Sequence, residues 1–96
     1  MVKVENVLQT PIFKKAVKRL KPSQKRNVDN AIMEVIGDPT IGEQKKGYLN
    51  FWRVYKFKMN KQLTLLGYSF DDGVCRLELI ALGAHENFYR DVKRTF

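Results

Sequence analysis

Val2, Val4, Val7 and Leu8 lie around Lys3, Glu5 and Asn6, a short and imperfect alternation that predicts an edge strand or an extended entry segment. The period then changes. Thr10-Pro11 is a helix start, with Thr10 as N-cap and Pro11 at the first helical position, where its missing N–H costs nothing. Phe13, Ala16, Val17 and Leu20 recur at helical spacing over about 11–20, and Lys14, Lys15, Lys18 and Arg19 cover the remaining surface. Pro22-Ser23 interrupts the pattern and restarts it. Ser23 is the expected cap of a second helix whose stripe is Val28, Ala31, Ile32, Val35 and Ile36, ended by Gly37.

From Asp38-Pro39 to Lys45-Lys46-Gly47 the chain is turn-rich, and after it the period becomes two. Tyr48–Lys58, Leu63–Phe70 and Val74–Leu82 are rich in aromatic and branched residues, and Asn60 and Asp71-Asp72-Gly73 separate them as hairpin turns. Three antiparallel strands follow. In the last, Cys75, Leu77, Leu79 and Ala81 share a face that is expected to meet the helices, and Val74, Arg76, Glu78, Ile80 and Leu82 share the other. Gly83 breaks the strand, leaving a C-terminal tail with a turn or two of helical pattern. The predicted fold is a two-layer α+β sandwich: an N-terminal strand, a helical hairpin packed on an antiparallel sheet, and a short C-terminal helix.

Composition narrows the function classes. Ninety-six residues with 44% hydrophobic side chains form one domain, 1–96, with a core of its own. Cys75 and His85 are the lone cysteine and histidine, too few for a disulfide or a zinc site, so no cofactor or metal is expected. No apolar run approaches the roughly 18 residues of a membrane span, and no basic-then-apolar leader opens the chain. A cytoplasmic location is the expectation.

The charge changes the picture most. A formal +8 favours a polyanionic partner, nucleic acid or an acidic protein. Residues 1–30 carry eight basic and two acidic side chains, and no acid occurs between Glu43 and Asp71. That acid-free stretch holds Lys45, Lys46, Arg53, Lys56, Lys58 and Lys61 interleaved with Tyr48, Phe51, Trp52, Tyr55 and Phe57. Cations for phosphates and rings for bases form one reading; core aromatics with lysines reaching into solvent form the other. Trp52 and Val54 are assigned to the core. Arg53 shares a strand face with Phe51, Tyr55 and Phe57, suited either to a phosphate contact or to an ion pair with Glu78. Lys45, Lys46, Lys61, Arg76 and Arg90 are the candidate RNA-binding cations. His85 and Tyr89 stand four apart at the start of the tail, side by side if it is helical, and a histidine can move a proton near neutral pH.

The order of elements, the run Phe13-Lys14-Lys15-Ala16-Val17-Lys18-Arg19-Leu20, Asp38-Pro39, the strand from Gly47-Tyr48 to Trp52-Arg53-Val54 and the closing Leu82-Gly83-Ala84-His85-Glu86-Asn87-Phe88-Tyr89 resemble the RelE/ParE superfamily of bacterial toxins. The resemblance spans nearly the whole chain. It implies a cognate acidic antitoxin as partner, and one of two targets: mRNA cleaved on the ribosome, inhibiting translation, or DNA gyrase poisoned without catalysis. The His85-x-x-x-Tyr89 spacing resembles RelE-like members of the YafQ type, which implies a metal-independent endoribonuclease. His85 would then do acid/base work, Arg53, Lys56 and Lys58 would neutralise the scissile phosphate, and Tyr89 would orient base or phosphate. The chain departs from the family in having Lys61-Gln62 where a second Tyr-Arg pair is common. It also lacks an evident carboxylate base, since Glu43 falls in a predicted loop.

Overall fold

The computed structural model describes residues 3–45 and 51–95. Its elements run β1 (Asn6–Gln9), α1 (Pro11–Lys18), α2 (Pro22–Gly37), β2 (Glu43–Gln44), β3 (Arg53–Met59), β4 (Gln62–Asp71), β5 (Arg76–Ala84) and α3 (His85–Thr95). The expected α+β arrangement is present, with two differences in the sheet. It has five strands in the order β1-β5-β4-β3-β2, and β1 runs parallel to β5, so the sheet is mixed rather than antiparallel throughout. The added strand, β2, is two residues long and pairs Glu43 with Val54 and Gln44 with Arg53.

Thr10 caps α1 as expected, its hydroxyl oxygen accepting from the Phe13 N–H at 3.1 Å. The α2 start differs. Pro22 takes the first helical position, which makes Lys21 the N-cap, and the Gln24 side chain accepts from the Lys21 N–H at 2.9 Å. Ser23 is freed from capping and its Oγ accepts instead from Asn60 Nδ2, 3.2 Å away, while Asn27 Oδ1 accepts from the Asn60 N–H. Asn60 and Lys61 both have positive φ, 50° and 74°, the geometry of a tight two-residue hairpin between Met59 and Gln62. The β3–β4 turn is thus docked on the beginning of α2.

The sheet is covered on both sides, so the two-layer expectation falls one layer short. On one face Phe13 of α1 and Val28, Ala31 and Val35 of α2 pack against Leu66, Tyr68, Leu77 and Leu79. On the other, Phe88 and Val92 of α3 pack against Trp52, Val54, Leu65, Ile80 and Ala81. The space for α3 comes from Gly67: a Cβ there would lie 2.9 Å from Phe88 and 3.1 Å from Trp52. The C-terminal helix is three turns long, packs through Phe88 and Val92, and is longer than its sequence pattern suggests.

A bulge in β5 breaks the predicted alternation. Gly67 pairs with Ala81 and Tyr68 with Leu79, which leaves Ile80 without an opposite residue. Leu77 and Leu79 face the hairpin as predicted, but beyond the bulge Ala81 turns to α3 and Leu82 packs with the hairpin core. The Ile80 carbonyl accepts from Thr10 Oγ1 at 2.6 Å and the Leu79 carbonyl from the Thr10 N–H at 3.0 Å. One threonine thus caps α1 and supplies partners to the irregular strand.

Candidate functional site

The α3 side of the sheet collects the polar groups that the core does not use. Alternation along β3 sends Val54, Lys56 and Lys58 to this side and Arg53, Tyr55 and Phe57 to the hairpin side. Pairing of β2 with β3 places Glu43 opposite Val54, and the chain continues in register, the Lys45 N–H donating to the Trp52 carbonyl at 3.0 Å. Glu43 and Lys45 therefore lie on the same side as Lys56. Lys45 Nζ is 3.0 Å from Glu43 Oε1 and 5.3 Å from the centre of the Tyr89 ring. Tyr89 is held in turn edge-on against Phe88, which is buried under α3.

The charges in this group are mutually fixed. The Tyr89 hydroxyl first, and Glu43 behind it, raise the Lys45 ammonium above its ordinary pKa of 10.5 against the opposing effect of burial. Lys45, by hydrogen bond and by charge, holds the exposed Glu43 carboxylate below the ordinary 4.5, with a smaller contribution from Lys56. At neutral pH the group is one carboxylate among cations with a phenol at its edge. Such an arrangement attracts an anion and stabilises charge that develops on it.

His85 opens α3 and is exposed, four residues ahead of Tyr89 on the same helix. It follows directly on Ala84, which pairs with Thr64, while Lys58 pairs with the neighbouring Leu63. His85 and Lys58 thus belong to the same end of the sheet. Lys61 is exposed in the turn beyond that end.

Arg53 is the largest departure from expectation. It is on the hairpin side, separated by the sheet from Lys56 and Lys58, and its Nη1 donates to the carbonyls of Gly42 at 2.8 Å and Thr40 at 3.3 Å. The ion pair with Glu78 does not form either, since Glu78 pairs with Ser69 on the α3 side. Arg76 sits eight residues before Ala84 in β5, about 26 Å along a strand, and lines a groove of about 460 Å³ with Leu8, Phe51, Asp71, Asp72 and Glu78. Arg90 is exposed and engaged by Asn87 and Asp91 on its own helix. Lys46 and Tyr48 fall outside the described residues.

Glu43 is the residue that the sequence reading passed over. A signal was there: Glu43 and Lys45 are two apart, the spacing that puts both on one face once the segment is extended. Among the described residues no group of three or more histidine, cysteine or acidic side chains could hold a metal ion, and no helix is long and apolar enough to cross a membrane.

The family model described as ParE-like toxin of type II bacterial toxin-antitoxin system matches residues 7–93. Among solved structures, a mutant of the toxin RelE from E. coli in the free state superposes with a TM-score of 0.69 at 18% identity, covering 97% of this chain and 99% of that one. The toxin-antitoxin complex RelBE2 from Mycobacterium tuberculosis gives 0.70 at 16% identity over 83% of this chain and 96% of that one. The RelE–RelB complex from Pyrococcus horikoshii gives 0.60 at 14%, over 88% and 96%. No protein of curated function matches the sequence.

Proposed function

The chain belongs to the ParE-like toxins of type II bacterial toxin-antitoxin systems, and from that premise we propose that it is an mRNA endoribonuclease that blocks translation and is restrained by an acidic antitoxin. The observation that carries the reading is the gathering of Lys45, Glu43, Lys56 and Tyr89 on one open face beside α3. The RelE fold likeness supports the same branch. The complexes of RelE with RelB support a cognate antitoxin.

The reaction needs no metal. The ribose 2′-oxygen attacks the adjacent phosphorus, the new O–P bond replaces the bond to the 5′-oxygen, and a cyclic phosphate and a 5′-hydroxyl result. A base takes the 2′-proton, an acid protonates the departing oxygen, and cations neutralise the phosphorane in between. His85 is the proton-transfer group. Lys45, Lys56 and Lys58 supply the positive charge, and Tyr89 orients Lys45 and the entering base. Glu43, held charged by Lys45, is a weak base and serves as the anchor of that lysine. Lys61 extends the cationic track along the RNA, and the substrate places the protein in the cytoplasm, on the ribosome.

The family description, ParE-like, favours the rival reading of a gyrase poison. Induction in a bacterial host, followed by primer extension on cellular mRNA and a gyrase supercoiling assay, separates the two. The proposal expects growth arrest with new 5′ ends within coding regions and unchanged supercoiling. Arrest with intact mRNA and blocked supercoiling would transfer the assignment to gyrase.

A further inference from the structure

The loop that delivers Glu43 and Lys45 to the α3 side is tied down from the hairpin side. Tyr68, fully buried in β4, donates its hydroxyl to the Pro39 carbonyl at 2.7 Å and accepts from the Gly42 N–H at 2.9 Å. Arg53 Nη1 takes the carbonyls of Thr40 and Gly42. Every residue of the segment bar Ile41 is held by one of these two side chains, and Ile41 donates its own N–H to the Asp38 carbonyl at 3.0 Å. Asp38 Oδ1 accepts from both the N–H and the hydroxyl of Thr40, which closes the turn. Gly42 packs so closely on Tyr68 that a Cβ would stand 2.7 Å from its hydroxyl. Glu43 is the next residue.

We infer that Arg53 and Tyr68 form a clamp on residues 39–42 that sets the position of β2, making Arg53 a positioning residue for Glu43 and Lys45 rather than a phosphate ligand. The geometry requires action through the backbone, since the guanidinium and the Lys45 ammonium leave the β2–β3 pair on opposite faces. Arginine suits the task because both N–H groups of Nη1 are fixed in the guanidinium plane, one for each carbonyl, whereas a lysine ammonium turns freely on a flexible stem. The consequence for catalysis rests on the nuclease reading above; the clamp itself does not.

Arg53→Lys and Gly42→Ala test the inference from opposite sides. The first removes the rigid planar guanidinium and keeps the charge; the second leaves Arg53 intact and pushes the loop off Tyr68. Hydrogen exchange at the Lys45 amide, which donates to Trp52 O, reads the position of β2 without any assay of activity. Both variants are expected to exchange at least about tenfold faster there, with the amides of β4 and β5 protected as in the parent, which also certifies the fold. In RNA cleavage both should lose on the order of 10–100-fold in kcat with KM little changed, as for misplaced catalytic groups. A phosphate contact predicts otherwise: Arg53→Lys would weaken KM with Lys45 still protected, and Gly42→Ala would cut normally. Either of those results overturns the clamp, as does parental exchange at Lys45 in both variants. If the parent itself does not cut RNA, faster exchange at Lys45 still upholds the clamp while the nuclease reading falls.

Discussion

The two faces of the sheet are built from the same alternating strands and end in opposite states. The hairpin face is closed: Phe13, Val28, Ala31 and Val35 cover Leu66, Tyr68, Leu77 and Leu79, all buried. Its cations, from Lys14 to Arg26, ride on the outer surfaces of α1 and α2. The α3 face is covered by one helix through Phe88 and Val92, and Glu43, Lys45, Lys56 and Lys58 remain open beside it. Both faces thus carry a buried core, and the proposed chemistry falls on the second alone. Arg53 belongs to the first by position and serves the second through the loop it holds.

The division is broken most sharply by removing a group that has no packing role. His85 is exposed, so His85→Ala should leave the denaturation midpoint where it was. Cleavage should fall by about 10²–10⁴-fold, the usual share of a general acid or base. Single-turnover assays on a defined RNA, run beside a binding assay, measure this; parental cleavage would remove His85 from the mechanism.

A smaller effect sharpens the contrast in stability. Gly67→Ala forces a methyl against Phe88 and Trp52 on the α3 face and touches nothing on the other. Overpacking of this kind costs about 1–3 kcal/mol. Native-state hydrogen exchange should place the loss in α3, with the amides of α2 less affected. Uniform loss across both helices would mean that the faces unfold as one unit.

Much of this arrangement can be read from local rules, which act within a few residues. The stripes of α1 and α2, the Thr10 cap and the Asn60 turn depend on neighbours at short range and were legible. Two features depend on distant partners and were not. The bulge at Ile80 is set by how β4 and β5 meet around Gly67, and it moves Ala81 to the opposite face from Leu79. The strand Glu43–Gln44 has no pattern of its own and exists because β3 offers an edge. Arg53 is a different case. Alternation alone separates it from Lys56 and Lys58, but charge and likeness of role argued for grouping them, and the strand parity was the better guide. The candidate site was legible in part: Lys45, Lys56, Lys58, Tyr89 and His85 lie on one side of the sheet, while Glu43 and the remoteness of Arg76 needed the fold.

The smallest expected effect, a difference in pH dependence, tests the closed face through its buried phenol. Burial, opposed in part by the Gly42 N–H, raises the Tyr68 hydroxyl above its ordinary pKa of 10.0. The folded protein therefore holds this proton more tightly than the unfolded chain does. Its contribution to stability is complete below pH 10 and is lost as pH rises through the folded-state value. Tyr68→Phe removes the titrating group at the cost of leaving the Gly42 N–H and the Pro39 carbonyl short of a partner, about 1–3 kcal/mol at neutral pH. Between pH 8 and pH 11 the parent should lose stability faster than the variant, because the lysines and the other tyrosines titrate in both. Urea denaturation of the two proteins at matched pH gives the difference directly. Parallel curves across that range would mean that the phenol ionises in place without strain, and that the loop carbonyl does not depend on its proton.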